Sequence, residues 1–367
     1  MFKRILTLAV VLSFFAGVSF AQDNTNTVSG TSTEEGMNFE HGNVADIFAL
    51  AKAQNKYVFV DCFADWCGPC KWMMANVFPQ KEVGEFYNEN FVIYKLDMEK
   101  GEGIEFAKQY QVMSYPTYLF FSPDGELVHR SGGSKEADKF IQDGMNALNP
   151  DMTLFGLQAK YEAGDRSPEV LMNYAIALYN ANQKGTKEVS EAYFATQSES
   201  DLMTETNWDM IYKFTNSVDS REFKYLEANS DAFSKTYGEE KVNKKMDNTY
   251  ISHYFKNRDF KAYGEYVNKI MPAINNSWDA LNMHAWNMYE GTDDMELIEM
   301  AAVWAKRSME IEENYYNTDT YAAIQYKLGN YDEAQKYANI AIEHAKKNNE
   351  KYDGTLELIE MIKVKRN

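Results

Sequence analysis

Cysteine, histidine and proline are scarce here, with three, five and seven copies in 367 residues. So few cysteines exclude a scaffold held together by disulfides. The histidines, His41, His129, His253, His284 and His344, show no ligand-like spacing, and a zinc site would need two more ligands beside any cysteine pair. Metal is therefore not expected. Long apolar runs are missing too: only residues 5–20 form one, and no later segment is long enough to cross a membrane. Basic residues are outnumbered, 37 Lys and Arg against 55 Asp and Glu, for a net charge of −18. Such a chain repels nucleic acid and anionic lipid surfaces. The charge runs at residues 343–351 and 363–366 read as solvated helix faces. There is no phosphate-cradling glycine loop, no Gly-x-Ser-x-Gly elbow and no His-Glu-x-x-His helix.

What the chain does have is Trp66-Cys67-Gly68-Pro69-Cys70-Lys71, directly after the apolar run Tyr57-Val58-Phe59-Val60-Asp61-Cys62-Phe63. Two cysteines at a strand-to-helix junction can pass between dithiol and disulfide with little backbone movement. Cys67 falls at the helix N-terminus, where unpaired N–H groups and the macrodipole favour a thiolate, so it is the expected nucleophile. Gly68 and Pro69 build the first turn, where proline costs no hydrogen bond. Cys70 sits inside the helix, placed to resolve a mixed disulfide. A purely structural bridge is the bland alternative, but closing so small a loop adds little stability.

These residues resemble the thioredoxin superfamily. The match continues through Val112-Met113-Ser114-Tyr115-Pro116-Thr117-Tyr118-Leu119-Phe120-Phe121, which is similar to the family's cis-proline strand, and through Asp124-Gly125-Glu126 with Gly132-Gly133, which resembles its last hairpin. A helix-like stretch at 44–53 and Asn76-Val77-Phe78-Pro79-Gln80-Lys81-Glu82-Val83 resemble one branch, the reductase-type domain of thiol:disulfide interchange proteins and their exported relatives. The resemblance implies an α/β thioredoxin fold, a central mixed sheet flanked by helices, with no cofactor beyond the redox-active Cys67–Cys70 disulfide. It implies that Asp61 is the buried acid that moves the proton of Cys70. Lys95 matches the lysine near that acid, or is a solvated strand-end charge. Pro116 matches the cis-proline, turning Tyr115 toward an extended substrate beside an exposed sulfur. Tyr115 could equally be a packed loop aromatic. Trp66, Gly68, Pro69, Tyr115, Pro116 and Thr117 are the implied substrate-binding positions.

Some features depart from the family. Ala75 stands where a kinking proline is usual, with Pro79 one turn later, so the helix is expected to run straighter past Cys70. The segment after it is longer, around residues 78–89. Cys62 replaces an aromatic residue and, by strand alternation, points away from Asp61 into the core; pairing with Cys67 or Cys70 is the minor reading.

The organisation around this domain sets the expected location. Residues 1–21, with Lys3-Arg4, an apolar run and a Ser19-Phe20-Ala21 ending, read as a signal peptide, and 22–38 as a flexible polar leader. The thioredoxin-like domain then occupies 39–148, its last helix at about 135–148, and a linker 149–153. Residues 154–367 carry apolar residues at three- and four-residue spacing and form an all-α domain of helical hairpins. Its end, Tyr326-Lys327-Leu328-Gly329-Asn330-Tyr331-Asp332-Glu333-Ala334, resembles the tetratricopeptide pattern. Shifted back by about one repeat, Ala334, Ala338 and Ala341 fall on Ala301, Ala305 and Ser308. Trp208, Trp278, Trp286 and Trp304 are read as core.

The expected protein is an exported thiol:disulfide oxidoreductase, periplasmic if its source is a Gram-negative bacterium. It would reduce protein disulfides, draw electrons from another protein such as a membrane reductant carrier, and hold a protein partner on its helical repeats. An oxidase or isomerase, or an interaction scaffold that senses redox state, are the alternatives.

Overall fold

Strand β1 (Tyr57–Phe63) is apolar on both faces, and only a strand covered from both sides can be so. The computed structural model, which describes residues 36–366, places it at the centre of a four-stranded sheet of order β2-β1-β3-β4. Strand β2 (Phe91–Asp97) pairs with it in parallel, β3 (Thr117–Phe121) antiparallel, and β4 (Leu127–Gly132) closes a hairpin with β3. Helices α1 (Val44–Gln54), α2 (Gly68–Asn76), α3 (Lys81–Asn90), α4 (Gly103–Gln109) and α5 (Ala137–Leu148) surround the sheet.

Alternation divides the core. Phe59, Tyr118 and Phe120 point to one face and pack with Met73 of α2, Tyr87 of α3 and Phe140 of α5. The Tyr87 and Phe140 rings stack at 4.4 Å, and Tyr87 donates its hydroxyl to Phe140 O at 2.7 Å. Val58, Val60, Cys62, Leu119 and Phe121 point the other way, onto Ile47 and Ala51 of α1 and Phe106 of α4. Helix α4 opens on Gly103, a position only glycine fits, since a Cβ there would lie 2.0 Å from Asp97 O.

Local details differ from the sequence expectations. The polar leader does not extend to 38: Met37 is buried, its N–H donates to Phe78 O at 2.9 Å, and Asn38 N donates to Asn88 Oδ1 at 2.8 Å. An apolar side chain within reach of an open core edge was enough to dock the segment. The signal-peptide reading and the remainder of the leader lie outside the described residues. Helix α2 continues past Cys70 and Ala75 to Asn76, with Val77 at its cap. The additional length around 78–89 forms most of α3.

Beyond α5 the described chain is all helical: α6 (Leu154–Glu162), α7 (Pro168–Asn180), α8 (Thr186–Ala195), α9 (Glu205–Phe214), α10 (Arg221–Ala228), α11 (Ser230–Tyr237), α12 (Glu239–Lys256), α13 (Phe260–Ile274), α14 (Trp278–Gly291), α15 (Met295–Ile311), α16 (Tyr315–Lys327), α17 (Tyr331–Asn348) and α18 (Asp353–Arg366). Successive helices pack on each other, and the apolar residues form consecutive cores along the chain, one around Trp208, one around Trp304 and one around Ala334. This arrangement is consistent with repeats. Ala334, Ala338 and Ala341 are fully buried in α17, as are Ala301, Ala305 and Ser308 in α15. Gly329, at φ +81°, makes the turn between α16 and α17. Trp208 and Trp304 are core residues, whereas Trp278 and Trp286 are half-buried.

The two parts of the molecule touch. Helices α6 and α7 pack on β4, and the buried His129 accepts the Leu154 N–H on Nδ1 at 3.0 Å. Thr153 caps α6 by accepting the Gly156 N–H at 3.0 Å. Burial, with Lys135 adding to it and Asp143 opposing, lowers the His129 pKa from 6.5 to about 4. The unfolded chain therefore takes up this proton below about pH 6.5 while the folded one refuses it until about 4. Stability from this group is complete above 6.5 and drains as pH falls toward 4, by up to about 3 kcal/mol. Urea melts should show the advantage of wild type over His129→Gln shrinking by that amount between pH 7.5 and pH 4. A pH-independent difference would mean that the proton linkage lies elsewhere.

Candidate active site

The strand-to-helix junction is built by local rules. Cys67 is the N-cap of α2, in extended backbone conformation, and its Sγ accepts the Cys70 N–H at 3.1 Å. Pro69 occupies the first turn, where its ring costs nothing. Cys67 and Cys70 are joined in a disulfide. A Cβ added at Gly68 would meet nothing within 4 Å, and Pro69 is exposed beside it.

The sulfur itself is not open to solvent. Cys67 is 2% exposed in the disulfide form, because Ala64, Phe63 and Tyr115 pack on the pair. Sequence reasoning placed an exposed sulfur here, and the correction comes from Tyr115, which reaches the junction from a distant loop. The Tyr115–Pro116 peptide is cis. The Tyr115 ring meets Trp66 edge-to-face at 5.8 Å, and Trp66, 68% exposed, donates its indole N–H to Glu99 Oε2 at 2.9 Å. The Tyr115 backbone makes no backbone hydrogen bond to the described residues, whereas Pro116 O accepts the Gly133 N–H at 2.9 Å. Thr117 turns its buried hydroxyl to Ser114 O at 2.8 Å, and its backbone already lies in register with Cys62 and Gly132, so it presents no free polar group.

Asp61 and Cys62 lie on opposite faces of β1, as alternation requires. Asp61 is buried, and its Oδ1 has no hydrogen-bond partner among the described residues. It lines a small cleft with Cys70, Ala64, Met74 and Lys95. Burial raises its pKa from 3.8 to about 7, opposed by the charge of Lys95, its register partner on β2. Lys95 is itself exposed, so it is a solvated charge that also acts on Asp61. A carboxyl that titrates near neutrality in one cleft with Cys70 can take and return that thiol's proton. Cys62 is a free, fully buried thiol pushed well above its ordinary pKa by burial, with Asp61 adding to the effect and Arg130 opposing it. It is inert by that account. Among the described residues no cluster of His, Cys, Asp and Glu could hold a metal ion, and no helix is long and apolar enough to cross a membrane.

Two contributors escaped the sequence reading. Met113, 86% exposed in the loop before the cis-proline, adds an apolar surface two residues from Tyr115. Glu99 orients the Trp66 indole. The signal for Met113 was its place two residues before Tyr115; nothing in the sequence pointed to Glu99.

Residues 44–143 match the model of a family described as thioredoxin-like domain. A thioredoxin-like protein of Synechocystis is 38% identical over 98 residues, 27% of this chain and 88% of that protein. The thiol:disulfide interchange protein of Pseudoalteromonas atlantica is 28% identical over 158 residues, 40% of this chain but only 26% of that protein. In a solved structure, the C-terminal domain of the corresponding Neisseria meningitidis protein in its oxidised form, the match is 28% identical and covers 28% of this chain and 92% of that one, with a TM-score of 0.25. These matches leave most of residues 154–367 uncovered.

Proposed function

Since the chain belongs to the thioredoxin-like family through residues 44–143, we propose that it is an exported protein-disulfide reductase. The observation that carries this reading is the Cys67–Cys70 pair at the head of α2, sharing a cleft with a buried carboxyl whose pKa is about 7. In the dithiol form, the Cys67 thiolate attacks one sulfur of a substrate disulfide. The substrate S–S bond breaks, one substrate thiolate leaves and takes a proton, and a mixed disulfide forms on Cys67. Asp61 then accepts the Cys70 proton, and the Cys70 thiolate attacks Cys67 Sγ, expelling the second substrate thiolate, which takes that proton from Asp61, and closing the Cys67–Cys70 disulfide. Two electrons pass to the substrate in each cycle.

The resting disulfide must be reduced again by a dithiol donor. An exported protein meets no soluble pool for this, so a membrane reductant carrier is the fitting source. Residues 1–21 would direct export, to the periplasm if the source is Gram-negative, and the helical region would hold a protein partner in the manner of tetratricopeptide repeats. The Gly68-Pro69 dipeptide supports the reducing direction by its resemblance to reducing thioredoxins.

Equilibration of the mature protein against graded dithiol buffers, read by thiol trapping, should place the Cys67–Cys70 couple near the roughly −270 mV of thioredoxin. A value toward roughly −120 mV would replace the reductase with a disulfide donor.

A further inference from the structure

A cleft of about 1060 Å³ lies between the thioredoxin-like domain and the first helices of the all-α region. Tyr115, Gly133 and Lys139 line one side; Met172, Tyr179 and Lys213 line the other. Three features describe its occupant. The first is shape: at about 1060 Å³ the cleft matches the upper end of ligand-pocket volumes, roughly 1,000 Å³, but it is open along one side, with room for several residues of extended chain. The second is continuity, because Tyr115 both packs on the Cys67–Cys70 disulfide and lines the cleft. A polypeptide whose cysteine meets Cys67 and whose backbone pairs with Tyr115 is led straight into it.

The third is the chemistry of the helical wall. Met172, Ile176 and Tyr179 recur at i, i+4 and i+7 along one face of α7, and none of the three is fully buried. Met172 and Ile176 also pack against the helical core, and Tyr179, edge-on to Phe214 at 5.6 Å, is the member left 52% exposed at the cleft. Lys213 Nζ sits 5.0 Å from the centre of the Tyr179 ring, and Lys135, Lys139, Asp143 and Asp209 are the charges around it. Lys135 is already paired with Asp143. Lys139 is paired with Asp138 at 3.6 Å, which leaves Lys213 as the lysine of this lining with no ion pair among the described residues, on a chain of net charge −18.

We propose that this cleft seats an extended, acidic segment of the protein substrate flanking its reacting cysteine, with Tyr179 and Met172 taking an apolar side chain and Lys213 a carboxylate. The helical region thereby selects substrates at the active site itself, rather than only tethering partners at a distance. This rests on the reductase reading, in which each turnover moves two electrons from the Cys67–Cys70 dithiol to the substrate disulfide, one product proton coming from Cys70 and the other from solvent.

The test uses the mature protein, reduced with dithiothreitol, desalted and mixed in single turnover with three oxidants. These are a disulfide-linked peptide with acidic flanks, the same peptide with basic flanks, and neutral 2-hydroxyethyl disulfide. The double variant Tyr179→Ala/Lys213→Glu should lower the ratio of acidic-peptide rate to hydroxyethyl disulfide rate about tenfold. Lys213→Glu alone should shift the preference toward basic flanks. Because each rate is referred to the small disulfide on the same preparation, partial misfolding does not imitate the effect. Ratios unchanged in both variants would overturn the cleft assignment while leaving the reductase intact. A wild-type protein that reduces none of the three would remove the reductase reading, and this proposal with it.

Discussion

Cys67→Ser is expected to abolish disulfide reduction, lowering the rate on the order of 10³-fold or more, because it removes the only sulfur at the head of α2 that can attack. Cys70→Ser should behave differently. Attack by Cys67 survives, but the mixed disulfide has no resolving thiol and accumulates as a stable adduct whose mass is that of the protein plus substrate. The asymmetry follows from geometry: Cys67 is the N-cap whose sulfur accepts the Cys70 N–H, and Cys70 is the one sharing a cleft with Asp61. The adduct forming on Cys70 in the Cys67→Ser protein instead would reverse the assigned roles. A biological phenotype surviving both substitutions would favour the scaffold alternative. Cys62 cannot substitute for either, since its thiol is fully buried on the other face of β1.

Asp61→Asn should have two effects of opposite benefit. Asparagine accepts no proton from Cys70, so release of the mixed disulfide is expected to slow by about 10²-fold at neutral pH. The wild-type release rate should rise through about pH 7 as Asp61 ionises, and the variant should lose that step. Stability moves the other way. The unfolded carboxyl loses its proton near 3.8 while the folded one keeps it to about 7, so the wild-type contribution is complete below 3.8 and is lost as pH rises through 7. Above that, an ionised group with an unpartnered oxygen sits in the core. Asp61→Asn should therefore gain up to about 4 kcal/mol at pH 8 relative to pH 4, measured by urea unfolding of the disulfide form at both values. If the variant is no more stable at pH 8 than at pH 4 relative to wild type, Asp61 is not buried as a neutral acid.

Several elements were legible because their causes are local. Cys67 at the head of α2, with Gly68 and Pro69 in its first turn, is placed by the residues immediately around it. Small residues at Ala334, Ala338 and Ala341 signal close helix packing before any coordinates exist. The leader boundary was not legible in the same way. Met37 sits among polar residues, and only the Phe78 carbonyl and the core edge around Val77, far along the chain, decide that it docks. Met113 and Glu99 escaped notice for a related reason. Their roles depend on what stands across from them, and neither residue type has an unusual spacing.

The strand-turn-helix order around Cys67, the opposite facing of Asp61 and Cys62 and the helical character after 154 follow from backbone sterics, alternation and capping, which act over a few residues. The burial of Cys67 beneath Tyr115, the neutral-range titration of Asp61, the His129 contact with Leu154 and the cleft between Tyr115 and Tyr179 belong to the tertiary structure alone. Each is a matter of desolvation or enclosure. Removing water from a group takes side chains from several elements at once, and their convergence is a property of the packed fold that no local pattern encodes.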